Sequence, residues 1–373
     1  MSIAIVGAGL GGLTTALFLE KLGIPFQIYE QTDQIKPVGA GIILAHNAMQ
    51  VFDKLGFKGE ITQLGNSITS INITTNKFQT INRIETLYFD EKYSVKSVAI
   101  QRGVLQHFLI NKLKNNCITF NKKVVNVKQG NKTTILFSDG DQIECDAVIA
   151  ADGINSVVRN QLFKENEIRK QNQMCWRGIS NMTLPINFQS ELNEMWGKGS
   201  RFGFVKISKN EVYWYGLHNS SQKLAKNDLL NSFKDYDPVV CKILSQTNFA
   251  KVFESEISDL KPMSSWFDDN VCLLGDAAHA TTPNLGQGAC QAIEDAYAIS
   301  YYISKYPINT AFSKYQQARK SKADMVVNLS WRFGILSQIK NPIISVFRNF
   351  VIKSIPSSYN LKQSEKIYTL PPL

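Results

Sequence analysis

Near its start the chain carries a glycine-rich turn, GAGLGG at residues 7–12, between two apolar stretches. Residues 2–6 have the continuous apolar character of a buried parallel strand, and residues 13–22 place apolar side chains at helical spacing. A further apolar stretch at residues 25–29 ends at Glu30. A strand, a G-x-G-x-x-G turn, a helix and a second strand that ends in an acid, in this order, predict a dinucleotide-binding βαβ unit.

The glycines of such a unit have separate roles. Gly7 allows the tight turn, Gly9 lets the backbone approach a pyrophosphate, and Gly12 lets the helix pack on the strand. The N–H groups at the helix start stabilise the phosphate charge, and Glu30 accepts hydrogen bonds from a ribose. A secretion signal would need a basic residue before the apolar stretch, but the first is Lys21, and a membrane helix tolerates few glycines. A purely structural glycine turn in another α/β protein stays open as an alternative.

The composition is that of a globular protein with a full core, since 44% of the 373 residues are hydrophobic and 19% are charged. This length allows one large domain or several smaller ones. The net charge of +10 favours anionic ligands, but without a dense Lys/Arg block we expect no nucleic-acid partner. The six cysteines form no C-x-x-C pair and the four histidines are not paired at metal-ligand spacing. We therefore expect reduced, buried thiols, a cytoplasmic location and no structural metal.

A second informative segment is a strand followed by polar residues. Residues 147–151 predict a buried strand that ends at Asp152-Gly153, after which Asn155-Ser156 can cap a short helix. The alternating run before it, with turns at Gly130-Asn131 and Asp139-Gly140, predicts a small antiparallel hairpin set. By itself, Asp152-Gly153 is also compatible with a purely structural strand end.

The segment from residue 270 to residue 304 repeats this arrangement. Val271 to Leu274 predicts a buried strand that ends at Gly275-Asp276, and Gly286-Gln287-Gly288 then opens a helix with apolar residues at helical period. A glycine-rich helix start offers free backbone N–H groups to a negative group, and an acid at a strand end can accept hydrogen bonds from sugar hydroxyls.

Taken together, GAGLGGL with Glu30, AADGINSVVR and LLGDAAHATTPNLGQGACQAIEDA resemble the motifs of the single-component flavoprotein hydroxylases, the relatives of para-hydroxybenzoate hydroxylase. The resemblance covers about residues 1–320 in the correct order. The variant GQGAC is similar to that of the urate hydroxylases and zeaxanthin epoxidases, and the compact chain also resembles the salicylate and tetracycline-oxidising members.

The resemblance implies an α/β fold, α+β overall, with a Rossmann-like FAD-binding domain, an inserted β-sheet substrate domain and C-terminal helices. We expect the FAD-binding domain at residues 1–70, 98–170 and 262–310, the substrate domain at 71–97 and 171–261, and the helical segment at 311–373.

The resemblance also implies the residues that contact FAD. Gly7, Gly9 and Gly12 would hold the pyrophosphate, Glu30 the adenosine ribose, and Arg102 the phosphate and ribityl region. Asp152 and Gly153 would contact both FAD and the nicotinamide cofactor, and Asp276 the ribityl chain. The flavin ring would be lined by Pro283 and by the backbone of Gly286, Gln287 and Gly288. Cys290 replaces a family asparagine, so we expect it to pack as a small buried hydrophobe. For His279 we expect a structural hydrogen bond rather than general-base catalysis.

The activity that the resemblance implies is FAD-dependent monooxygenation. NADPH or NADH, bound only transiently, reduces the flavin, and O₂ then gives a C4a-hydroperoxide that hydroxylates or epoxidises a small planar aromatic or unsaturated substrate. Two alternatives stay open, a non-oxygenating FAD-dependent reductase of the same fold and a non-enzymatic FAD-bound module. Monomer and dimer are both compatible with the sequence.

Arginines among aromatic residues mark the expected substrate side. Arg177 and Arg201 would suit a flat, possibly anionic substrate, and Arg201 and Tyr213 match substrate-contacting positions of the urate-hydroxylating relatives. Residues 202–205 and 212–215 predict paired strands, so Arg201 and Tyr213 can share a face yet lie several residues apart. The alternative for Arg201 is a solvent-exposed position on an edge strand.

The C-terminal segment predicts two or three amphipathic helices. Residues 333–352 are apolar enough for a helix at a membrane surface, but Lys340, Pro342 and Arg348 argue against a membrane span. We expect these apolar residues to pack across the edge of a sheet, which makes membrane contact the less favoured alternative.

Overall fold

The structure is a computed structural model that describes residues 2–35, 40–114, 117–219 and 226–373. Its strands are β1 (Ile3–Val6), β2 (Phe26–Tyr29), β3 (Gly41–Leu44), β4 (Asn66–Ile68), β5 (Ser70–Thr75), β6 (Thr80–Glu85), β7 (Ser97–Gln101), β8 (Ile118–Thr119), β9 (Val124–Lys128), β10 (Thr133–Phe137), β11 (Gln142–Cys145), β12 (Ala147–Ala150), β13 (Ile168–Asn181), β14 (Glu191–Trp196), β15 (Ser200–Ser208), β16 (Glu211–His218), β17 (Phe253–Leu260), β18 (Phe267–Asp268) and β19 (Val271–Leu273).

The helices surround the sheets and dominate the C-terminal part. They are α1 (Leu10–Lys21), α2 (His46–Leu55), α3 (Lys58–Leu64), α4 (Leu87–Tyr93), α5 (Arg102–Lys112), α6 (Val157–Leu162), α7 (Lys226–Ser232), α8 (Pro238–Ser245), α9 (Asp276–His279), α10 (Gly288–Ile303), α11 (Ile308–Ser337), α12 (Pro342–Lys353) and α13 (Ser357–Tyr368).

The N-terminal βαβ unit forms the centre of a six-stranded sheet with the order β18-β19-β12-β1-β2-β8. The strands are parallel except for β18, and Ile5 of β1 lies between Ile149 of β12 and Ile28 of β2. The predicted βαβ unit is confirmed, although α1 begins at residue 10 rather than residue 13. Because Gly11 and Gly12 are buried against neighbouring elements, packing holds them in the helix despite their weak propensity.

A seven-stranded sheet with the order β17-β13-β16-β15-β14-β5-β6 forms the second layer. All neighbours are antiparallel except β14 and β5. The predicted hairpin of β15 and β16 is confirmed, with Phe204 opposite Trp214 and Val205 opposite Tyr213. One face of this sheet packs against α8, and the other carries Tyr213 in a cluster with residues of β3 and β7. The predicted mixed α/β fold class is confirmed.

Two three-stranded sheets complete the β structure, β11-β10-β9 and β3-β7-β4. The first is the predicted hairpin set, with antiparallel pairing on both sides of β10. The second contacts the seven-stranded sheet, because residues of β3 and β7 pack in one cluster with Tyr213. Its strand β7 leads directly into α5 at Arg102.

All six cysteines are free thiols, as expected. The expectation that they are buried is wrong for two of them, since Cys241 is exposed and Cys117 is partly exposed. Cys241 lies on α8 between the buried Val240 and Ile243, where the helical period turns its side chain outward.

The predicted C-terminal helices are confirmed as α11, α12 and α13, but the expected packing of the apolar residues is wrong for α12. Helix α12 lies beside β6, yet Ile343, Phe347 and Phe350 are exposed. Over the described ranges, none of the helices has the length and apolar character needed to cross a membrane.

Candidate active site

The glycine turn leaves one side of its backbone open. Gly7 has a φ of +102°, and a Cβ on it would lie 2.6 Å from the carbonyl oxygen of Ala151. A Cβ on Gly12 would lie 2.1 Å from the carbonyl oxygen of Gly7, so the helix contacts the strand directly. At Gly9, by contrast, a Cβ would meet nothing within 4 Å. The open approach at Gly9, at the N-terminus of α1, fits a phosphate group.

Glu30 fixes the same turn from the end of β2. Its Oε2 accepts a hydrogen bond from the backbone N–H of Ala8 at 2.8 Å, and its Oε1 accepts from the N–H and hydroxyl of Thr32, each at 3.0 Å. The side chain is buried. Each carboxylate oxygen retains capacity for another donor, which fits ribose hydroxyls beside the glycine turn.

The two carboxylate oxygens of Asp152 have different surroundings. Oδ2 accepts from the N–H of Val157 at 2.9 Å and so supports the start of α6, whose N-cap is Ser156 as predicted. Oδ1 is buried and has no partner among the described residues. Burial raises the pKa of Asp152, against hydrogen bonds from Ser156 and Val158 that lower it. An unpaired buried oxygen fits a ligand donor, and Gly153 beside it has a φ of +81°.

Asp276 and Arg102 lie close enough for their charges to interact, at the cleft beside the carboxyl ends of β1, β12 and β19. Asp276 begins α9, is exposed, and has its Oδ1 3.7 Å from where a Cβ on Gly288 would lie. Desolvation raises the pKa of Asp276, while the charges of His279 and Arg102 lower it. An exposed carboxylate at this position can accept hydrogen bonds from a bound polyol chain.

The loop before α10 presents backbone rather than side chains to the cleft. Pro283 and Gly286 are exposed, and Gly286 has a φ of +62°. The Gln287 side chain is buried, and its Oε1 accepts from Asn47 and Gln291, each at 3.1 Å. Its amide thus holds the loop in place. Pro283 and the backbone of Gly286 are accessible, and their contact with a flavin ring stays a prediction.

The Cys290 thiol makes hydrogen bonds in addition to the expected packing contacts. The thiol is buried, lies 3.4 Å from the N–H of Ala45, and donates to the carbonyl of Ile43 at 3.3 Å. It therefore bridges α10 to β3 and to Ala45, the N-cap of α2. Burial raises the pKa of this thiol to about 12, although the backbone hydrogen bond from Ala45 lowers it.

His279 has the structural role that we expect. Its Nε2 lies 2.5 Å from Oδ2 of Asp295, and Oδ1 of Asp295 accepts from Nε of Arg319 at 2.7 Å. All three side chains are buried. Burial opposes the charge on Asp295, but His279 and Arg319 together lower its pKa to about 2. This network joins α9, α10 and α11 behind the cleft.

Arg201 is buried, so the alternative of a solvent-exposed position on an edge strand is wrong. Strand β15 lies between β14 and β16, which gives it partners on both sides. Arg201 donates to Glu194 Oε1 at 3.2 Å and to Asn284 Oδ1 at 2.5 Å. Its Nε is buried without a partner among the described residues.

Glu194 is the centre of this cluster and was not identified from the sequence. Besides Arg201, it accepts hydrogen bonds from Trp196 Nε1 and the Tyr215 hydroxyl, each at 2.6 Å. Gly203 makes room for Tyr215, since a Cβ there would lie 2.0 Å from the ring. Only the register of β14, β15 and β16 brings these side chains together, so local sequence carries no signal for them.

Tyr213 and Arg177 lie farther along the same face. Arg201 is opposite Leu217, four positions from Tyr213 and about 13 Å away at strand spacing. Tyr213 packs on Gly41 of β3, where a Cβ would meet its ring at 2.3 Å. Burial raises the pKa of Tyr213 to about 12, although Arg177 and Arg102 lower it. Arg177 also donates to Ser255 at 2.9 Å.

The residues at this sheet edge fit an FAD cofactor. The open backbone at Gly9, the Asp152 oxygen that has no partner among the described residues and the exposed carboxylate of Asp276 follow β1, β12 and β19. These strands are parallel neighbours, so the three groups lie at the same edge of the six-stranded sheet. A family model described as an FAD binding domain matches residues 1–329. The chain therefore belongs to the FAD binding domain family, and within it to the FAD-dependent monooxygenases.

Individual relatives agree with this assignment. The chain is 29% identical over 364 residues to an aurachin C monooxygenase/isomerase of Stigmatella aurantiaca, covering 96% of this chain and 95% of that protein. It is 28% identical over 380 residues to a 2-heptyl-3-hydroxy-4(1H)-quinolone synthase of Pseudomonas aeruginosa, covering 99% and 98%. Klebsiella pneumoniae HpxO, solved with FAD and uric acid, has the same fold, with a TM-score of 0.91, 23% identity and coverage of 100% and 97%.

Proposed function

We propose that this monooxygenase uses NADH or NADPH and O₂ to hydroxylate a planar nitrogen heterocycle that carries a ring carbonyl. The observation that supports the proposal is the buried Nε–H of Arg201, which has no hydrogen-bond partner among the described residues and lies next to the loop that contains Asn284. An unpaired buried donor favours a ligand acceptor such as a ring carbonyl or enolate oxygen. The 4(1H)-quinolone and uric acid named for the relatives above are both compounds of this kind.

The charge of Arg201 is already balanced by Glu194, 3.2 Å away. A carbonyl or a partly charged enolate is therefore a better partner for this site than a full carboxylate, since no second anion is needed. The Glu194–Arg201 pair therefore favours, among the anionic substrates expected from the sequence, one with a delocalised or partial negative charge. Hydroxylation of an electron-rich ring carbon next to such an oxygen is the activity that this site favours.

The roles of the protein residues in the reaction follow from their positions. When bound, FAD supplies the redox chemistry and the activation of O₂. The turn at Gly9 would hold its pyrophosphate, Glu30 its ribose and Asp276 its ribityl chain. The N-terminus of α10 would stabilise negative charge at the flavin ring. Arg201 would orient the substrate carbonyl, and the apolar ring of Tyr213 would close the far side of the site.

The nicotinamide cofactor would bind only transiently, because the chain carries no second glycine fingerprint. Asp152-Gly153 is the proposed contact for it. The free thiols support a reducing, cytoplasmic location.

A substrate panel tests this function. The FAD-loaded protein is mixed with NADH or NADPH and with uric acid, 4(1H)-quinolones with and without a 2-alkyl chain, salicylate, a tetracycline or an isoprenoid. The expected result is faster nicotinamide oxidation with a heterocyclic carbonyl compound, and one labelled oxygen atom from ¹⁸O₂ in the product. Labelled product from salicylate or an isoprenoid but from no heterocycle would refute the substrate class, and oxidation without oxygen transfer from any compound would refute monooxygenation.

A further inference from the structure

Helix α12 has its apolar face toward solvent. The exposed fractions of Ile343, Val346, Phe347 and Phe350 are 79%, 70%, 67% and 69%, whereas Arg348 on the opposite side is only 5% exposed. A surface helix normally buries its apolar stripe and exposes its charges. The inverted arrangement in α12 leaves a contiguous apolar surface that a monomer in water would not maintain without a partner.

The buried arginine fixes this orientation. Arg348 donates to the carbonyl oxygens of Leu336 and Ser337 at 3.1 and 3.2 Å, and its guanidinium lies 4.6 Å from the centre of the Trp196 ring. These contacts satisfy the carbonyl groups at the end of α11 and hold α12 with its apolar face outward. Ile335 and Leu336, which are 59% and 40% exposed, extend the apolar surface onto α11.

The charged residues within this segment of the chain have one sign. Residues 325–364 contain no Asp or Glu, and their basic residues are Arg332, Lys340, Arg348, Lys353 and Lys362. Lys340 and Lys353 are exposed at the two ends of α12. A second copy of the chain would bring the same positive charges together, and each copy has a net charge of +10. An apolar face flanked by lysines is instead complementary to an anionic lipid surface.

We propose that α12 and the end of α11, called the docking face here and comprising residues 335–353, bind this protein to the surface of an anionic lipid bilayer. The helix lies parallel to the membrane plane, with Ile343, Phe347 and Phe350 at the boundary of the acyl chains. Lys340 and Lys353 lie among the headgroups. The contact is peripheral, with the docking face entering one leaflet only.

The docking face is structurally connected to the substrate side of the sheet. Arg348 stacks on Trp196, Trp196 donates to Glu194, and Glu194 pairs with Arg201. Trp196 is paired with Arg201 across β14 and β15, so the two side chains share one sheet face. A bilayer bound at α12 thus lies beside the strands that carry the proposed substrate contact, which places the site close to lipid-dissolved compounds.

Vesicle co-sedimentation of the FAD-loaded protein tests the proposal. The expected result is binding to vesicles of phosphatidylcholine with phosphatidylglycerol and much weaker binding to phosphatidylcholine alone. The double variant Phe347→Ser/Phe350→Ser should lose about tenfold or more in vesicle affinity, because each substitution removes a large apolar area that the bilayer would bury. Ile186→Ser is the matched control, since Ile186 is 83% exposed but lies outside the docking face and should leave binding unchanged.

Charge removal gives a second, independent measurement. Lys340→Ala and Lys353→Ala should each weaken binding to the anionic vesicles by about fivefold, and added salt should weaken the parent protein in the same direction. Flavin content and thermal unfolding report whether each variant is folded.

Three results would overturn the proposal. They are failure of the parent protein to bind anionic vesicles, equal binding by the folded phenylalanine variant, or a stable dimer without vesicle binding that the phenylalanine substitutions dissociate. The last result would assign the docking face to contact between copies of the chain. Because none of these measurements depends on turnover, their failure is separate from failure of the proposed activity.

Discussion

Nη2 of Arg201 on β15 donates to Oδ1 of Asn284 at 2.5 Å, which connects the seven-stranded sheet to the loop before α10. Asn284 is itself held, since its Nδ2 donates to the hydroxyl of Thr282 at 2.8 Å and to the carbonyl of Ser330 at 3.0 Å. The proposed substrate contact is therefore positioned directly against the proposed flavin contact.

Arg201→Gln should weaken substrate binding by about ten- to a hundredfold, the usual scale of about 1.5–3 kcal/mol for a hydrogen bond to a charged group. Oxygen insertion should decrease and peroxide release increase, because a loosely held ring is misplaced relative to the flavin. Substrate titration and peroxide yield measure both effects.

The buried Glu194 requires a control for this variant. Removal of Arg201 alone leaves Glu194 with Trp196 and Tyr215 as its donors among the described residues, so part of any loss could come from an uncompensated charge. The double variant Arg201→Gln/Glu194→Gln removes both charges. If the double variant recovers the affinity of the parent, Arg201 has a structural role only.

Gly9→Ala and Gly12→Ala should separate cofactor binding from folding. Gly9→Ala should preserve the melting temperature but lower FAD affinity on the order of tenfold, about 1.4 kcal/mol, since the added methyl group meets only the space proposed for the pyrophosphate. Gly12→Ala should destabilise the protein by about 1–3 kcal/mol or more, because its methyl group clashes with backbone. Flavin absorbance and thermal unfolding measure the pair, and equal FAD loss without any difference in stability would contradict the assignment.

The purified protein should be yellow and should release FAD, not FMN, because Glu30 and the glycine turn suit the adenosine half. Asp276→Ala should retain about ten- to a hundredfold less FAD than the parent, since a carboxylate that accepts from a polyol is lost. Cys290→Ser should retain FAD close to the parent level, because a hydroxyl can replace the thiol between Ile43 and Ala45. Fluorescence of the released flavin gives the occupancy, and equal occupancy in both variants would rule out these roles.

Acid should destabilise the protein through His46. The ring is buried, with Nε2 2.8 Å from Asp90 and Nδ1 3.1 Å from Ser97. Burial lowers the pKa of His46 below its usual value of 6.5, although Asp90 raises it. The unfolded chain therefore binds this proton more readily, so the free energy of unfolding decreases as pH falls through 6.5 toward the folded-state pKa.

Urea denaturation between about pH 7.5 and pH 5.5 measures this effect. His46→Gln should reduce the slope of stability against pH, whereas His107→Gln, at an exposed position, should leave it unchanged. An identical slope in His46→Gln and the parent would exclude His46 as the source.

The sequence by itself determined the elements whose signals are local. The strand, glycine turn, helix and acid at residues 3–30 follow from the apolar period and from the spacing of the glycines. The cap at Ser156 and the helix start at Gly288 follow from the same kind of evidence. Each of these depends on side chains that are neighbours along the chain or along one strand and helix.

Only the tertiary structure decided which distant side chains meet and which faces stay open. Glu194 lies seven residues from Arg201 and Asn284 lies 83 residues from it, so strand register and loop position join them rather than any motif. The apolar period of α12 predicts burial, but Arg348 occupies the space against Trp196 and the apolar side chains face outward. A helical pattern specifies that one face is apolar, whereas the space available beside the sheet determines which face is buried.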